Sequence, residues 1–144
     1  MELTASDISQ VIQLAVAPVF LLAGIGAFVN AFANRLARTF DRSRYLEEQL
    51  DDASPERIEA LQDILTSLRK RAHLAYVGIA LGTLAALLVC VLIALAFAGY
   101  FFGLEMRDFI AGLFLLAMLS LIGGLLSFLR EITLAVKGLS IGRE

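Results

Sequence analysis

Asn30, Asn34 and Arg38 are spaced by four where an apolar run gives way to a basic one. At 3.6 residues per turn this spacing stacks them on one helix face, with Gly26 a turn earlier. An amide carries both donor and acceptor, and a guanidinium carries a fixed positive charge. Such a stripe suits the passage of an ion better than bond-making chemistry. A second group of charges surrounds it: Arg35, Asp41, Arg42 and Arg44, then the run Arg69, Lys70 and Arg71, then Arg130 and Glu131. A basic cluster of this size at a cytoplasmic interface suits anionic lipid. The same residues also have a structural use. Arg38 with Asp41 and Arg44 with Glu48 are spaced for helix ion pairs, and Glu131 can neutralise an arginine at the base of a neighbouring helix.

The residues for other chemistry are missing. There is no H-E-x-x-H, no G-x-S-x-G and no Cys/His pair, so no enzyme activity, metal or cofactor is expected. Cys90 is the single cysteine and reads as a small buried hydrophobe within a span. His73 is the single histidine and reads as an interfacial residue. Glu47, Glu48, Asp51, Asp52, Glu56, Glu59 and Asp63 supply hard oxygen atoms, but their spacing fits no EF-hand loop and reads as a solvated acidic face.

Membrane helices must position these groups. The 144 residues are 59% hydrophobic, well above the roughly 45–50% of soluble domains. Residues 8–34, 72–104 and 109–129 contain no Asp, Glu, Lys or Arg, and each run reaches the roughly 20 residues a spanning helix needs. The expected fold is all-α: an integral membrane domain over residues 1–144 with three transmembrane helices (8–34, 73–102 and 109–130). A cytoplasmic antiparallel helical hairpin (35–71) joins the first two, and a cytoplasmic tail (131–144) ends the chain. The net charge of -2 hides a segregation. Both bases of the hairpin are basic, whereas Glu2 and Asp7 mark the N-terminus, and Glu105 and Asp108 flank Arg107 between the last two spans. The positive-inside rule then sets the N-terminus outside and the C-terminus, with Lys137 and Arg143, in the cytoplasm.

Within the spans, Thr4 and Asp7 offer caps, and Pro18 predicts a kink. Ala23, Gly24, Gly26 and Ala27 make one close-packing face, and Ser120, Gly123, Gly124 and Ser127 make another. The pairs Gly78 with Gly82 and Gly99 with Gly103 are weaker packing signals. In the hairpin, Leu36, Phe40, Ser43, Leu46 and Leu50 face Ile58, Leu61, Leu65, Leu68 and Ala72 in a coiled-coil seam. Ser54 and Pro55 start its second arm. Gly138 and Gly142 are expected to end the last helix.

The runs A-P-V-F-L-L-A-G-I-G-A-F (17–28) and N-R-L-A-R-T-F-D-R-S-R (34–44), with R-K-R (69–71) and F-L-R-E-I (128–132), resemble a bacterial family of small membrane proteins, domain of unknown function 2721. The resemblance spans almost the whole chain. It implies three helices in the bacterial inner membrane and brings no established activity.

Two functions fit the residues. One is a homo-oligomeric ion channel lined by the first helix through Gly26, Asn30, Asn34 and Arg38. The other is a membrane-anchored scaffold whose hairpin docks a cytoplasmic protein. In the scaffold, Arg35, Asp41, Arg42, Arg44, Arg69, Lys70, Arg71, Arg130 and Glu131 form an interfacial charge network or contact anionic lipid of the bilayer. No nucleic-acid partner is expected.

Overall fold

The computed structural model describes residues 5–140. Glu2, Thr4, Gly142 and Arg143, named above for capping, charge and chain ending, lie outside the described residues, as does the side chain of Asp7. The described chain is all-α: α1 (Ala5–Leu50), α2 (Pro55–Phe102) and α3 (Arg107–Ser140). Each contains a stretch long and apolar enough to cross a membrane.

No Gly or Pro lies between Gly26 and Pro55, and α1 accordingly continues unbroken beyond its apolar run. Pro18 lies inside the helix without ending it. Asp51 and Asp52 turn the chain. Ser54 then takes an extended backbone conformation, and its carbonyl accepts the N–H groups of Arg57 at 2.9 Å and Ile58 at 3.0 Å. Pro55 presets the first turn. The Ser54 hydroxyl makes no capping bond, so the start of α2 rests on backbone and proline rather than on the expected side-chain cap. At 48 residues, α2 is about 70 Å long. It stops at Gly103, whose φ of 64° is left-handed and returns the Leu104 N–H to the Gly99 carbonyl at 3.0 Å.

Helix α2 is the middle element and packs against both α1 and α3. Gly78 lies under Phe32 of α1, and Gly82 lies under Val29 and Phe28. Falling residue numbers in α1 thus meet rising numbers in α2, and the two helices run in opposite directions. A Cβ at Gly78 would stand 2.5 Å from the Phe32 ring, so the weak Gly78/Gly82 signal marks a real close approach. On α3, Gly123 admits Leu81, and Gly124 admits Phe28. The Ser120 hydroxyl donates to the Leu81 carbonyl at 2.8 Å, an interhelical bond of the kind that joins spans. Ile25, Ala85, Val89 and Ala117 form the core of the spanning region. Leu46, Leu61, Leu65 and Leu68 form a second buried cluster within the hairpin, with Leu50 and Ala53 against it.

A Cβ added at Gly24 or Gly26 would meet nothing within 4 Å, so these glycines are not where α2 or α3 approaches α1. Three expectations are corrected. Phe40 is 54% exposed, while Thr39 is buried in its place. Cys90 is exposed rather than buried. Gly138 does not end α3, which continues to Ser140 because the following residues keep the helical backbone.

Candidate functional site

The three helices meet at Glu131, on α3, two residues past the end of its apolar run. Its side chain is 2% exposed. One carboxylate oxygen accepts a hydrogen bond from Nη1 of Arg35 on α1. The other accepts Nε of Arg71 on α2 at 3.2 Å and Nη2 at 3.1 Å. Burying a carboxylate is tolerated only with charged partners of this kind. A single acid therefore ties α1 and α2 to α3.

The membrane side of this junction is aromatic. Phe28, Phe32 and Phe128 meet edge to face, with ring centroids 4.8, 6.3 and 5.0 Å apart. The Arg35 guanidinium also lies 5.1 Å from the centre of the Phe128 ring, a cation–π contact that fixes its plane. On the hairpin side a cleft of about 170 Å³ opens, lined by Arg35, Arg38, Thr39, Arg42, Leu68, Arg71 and Glu131. The Thr39 hydroxyl is occupied, donating to the Arg35 carbonyl at 3.0 Å. Arg42 lies 6.0 Å from the Tyr45 ring centre.

The amide stripe has different surroundings. At about 100° per residue, Asn30 and Asn34 lie nearly opposite Phe32, which is fully buried. Both are exposed, as is Gly26, and neither amide has a hydrogen-bond partner among the described residues. Arg38 falls between this outward face and the cleft, whose rim it forms.

Of the charged residues singled out by sequence, the fold gathers Arg35, Arg38, Arg42, Arg71 and Glu131. It leaves Asp41, Arg44, Arg69, Lys70 and Arg130 exposed on other faces. The helix pairs Arg38 with Asp41 and Arg44 with Glu48 do not close, and the ion pairs among the described residues converge on Glu131 instead. Sequence reasoning missed the Phe28, Phe32 and Phe128 cluster, together with Thr39 and Leu68 as cleft walls. The only signal for the cluster was its place beside the charged residues that follow each apolar run. His/Cys/Asp/Glu groups able to hold a metal do not occur among the described residues.

No curated protein and no solved structure matches the chain. A family described as a protein of unknown function, DUF2721, matches residues 15–141, a stretch that includes most of the first apolar run, the other two, the amide stripe and the Glu131 junction. The chain belongs to the DUF2721 family of proteins of unknown function.

Proposed function

We propose that the protein works as a homo-oligomer in a bacterial inner membrane and conducts ions along a path lined by the uncovered face of α1. The observation behind this reading is the position of Asn30 and Asn34, two amides on a span surface turned away from both neighbouring helices. An amide left against hydrocarbon costs on the order of several kcal/mol, and polar side chains in spans face protein or water. Further copies of the chain, arranged around an axis, meet that demand. Three helices are too few to enclose a polar path alone, so the path runs along the symmetry axis. Gly26, Asn30 and Asn34 line it, and Arg38 stands at its mouth. The basic bias assigns that mouth, the hairpin and the C-terminus to the cytoplasm, and the N-terminus to the outside. The reading involves no catalysis and no cofactor.

A second reading is a scaffold that docks a cytoplasmic protein on the hairpin. The buried leucine cluster supports it, because a separate core makes the hairpin a defined arm.

Recording from purified protein in planar bilayers separates the two. A pore gives unitary currents, a shift of preference from anions towards cations in Arg38→Glu, and reduced conductance in Asn30→Leu with assembly intact. Silence from assembled protein at both signs of voltage and in several salts would leave the scaffold.

A further inference from the structure

We propose that the cleft at the Glu131 junction binds a phosphate group at the depth of the lipid headgroups, through Arg38 and Arg42 at its rim and Arg35 and Arg71 beneath them. Four guanidinium groups line this space with one carboxylate. Both oxygens of that carboxylate are already engaged by Arg35 and Arg71, so the positive charge of Arg38 and Arg42 has no acid opposite it in the cleft. Arg38 and Arg42 are exposed and Arg35 and Arg71 half-buried, so an anion seated among them meets four positive charges and one neutralised acid.

The pair to Glu131 also prepares the site. It fixes two guanidinium planes, helped by the Phe128 ring, and a fixed fork of N–H donors matches tetrahedral phosphate oxygens better than a mobile ammonium does. The volume of about 170 Å³ is far above the roughly 10–15 Å³ that one water requires, so a group of several heavy atoms fits. Depth argues for phosphate in particular. Arg35 is the first charged residue after the apolar run of α1, and its guanidinium, which lines the cleft, lies against the Phe128 ring. It therefore opens where hydrocarbon ends and phosphate groups begin. An anionic phospholipid and a soluble phosphate from the adjoining water present the same chemistry there. The inference does not depend on the pore, because Arg42 lies off the amide stripe.

The test uses the full chain in phosphatidylcholine nanodiscs with two probes. One is phosphatidylglycerol, counted per protomer by native mass spectrometry, and the other is inorganic phosphate, followed by titration calorimetry. At least one probe should saturate at one per protomer. Arg42→Gln should weaken it by about ten-fold or more, whereas Arg44→Gln and Arg69→Gln, which remove the same charge outside the cleft, should weaken it about two-fold or less. Neither Arg42 nor Arg38 holds an ion pair, so Arg38→Gln serves as a second cleft variant with the helix junction intact. Saturation by phosphatidylglycerol identifies a lipid ligand, and saturation by inorganic phosphate alone identifies a soluble one. Equal weakening in all four variants, or no saturation by either probe, would overturn the proposal.

Discussion

Glu131 does at the residue scale what no single apolar contact does, because it joins all three helices through one side chain. The carboxylate is almost fully enclosed, while Arg35 and Arg71 keep 32% and 28% of their side-chain surface. Desolvation thus falls mainly on the acid, and two cations offset it. Removing that charge leaves two guanidinium groups facing each other over a neutral amide. Glu131→Gln should therefore destabilise the fold by about 3 kcal/mol, at the lower end for a broken buried pair because the arginines remain partly solvated. Thermal unfolding in a mild detergent measures this, with Glu48→Gln on the exposed hairpin surface as a control near zero. An unchanged melting temperature for Glu131→Gln would mean that the junction is held by the aromatic cluster instead. The sequence pointed to Glu131 as a neutraliser of some arginine. It could not say which, since its partners lie 96 and 60 residues away and no local spacing relates them.

At the scale of elements, α2 is gripped from both sides, and the glycines set how closely. A Cβ at Gly78 would run into Phe32, a fully buried ring hemmed in by Phe28 and Phe128. Gly78→Ala should push α1 and α2 apart and cost about 1–3 kcal/mol. Gly112→Ala has open space around it and should be neutral or stabilising by up to about 1 kcal/mol. The two melting temperatures decide the matter, and equal values would show that the helices do not meet at Gly78. Helix boundaries were legible because charge-free runs mark the spans and Asp51 to Pro55 supply a turn and a start signal. The rotation of each helix was not legible. A span is apolar all round, so periodicity does not reveal its inward face, and Cys90 was turned the wrong way for that reason. In the hairpin, three- and four-residue spacing allowed either Phe40 or Thr39 into the seam, and the larger hydrophobe was the wrong choice.

At the scale of the whole molecule, α2 is covered on two sides while α1 is covered on one. Between residues 23 and 34 the open side of α1 carries Ala23, Gly26, Ala27, Asn30 and Asn34, small residues and amides, whereas Val16 and Val19 earlier on α1 and Leu115, Leu119 and Leu126 on the outer surface of α3 are large and apolar. In the proposed assembly, copies of the protein meet along this small-residue stretch of α1, and the leucines of α3 meet lipid. Disulfide crosslinking in native membranes, in a Cys90→Ala background, tests it most directly. Asn30→Cys should give abundant disulfide-linked dimer on oxidation, while Leu126→Cys, an exposed position on α3, should remain monomeric. Monomer alone from Asn30→Cys, or equal crosslinking at both positions, would contradict the account.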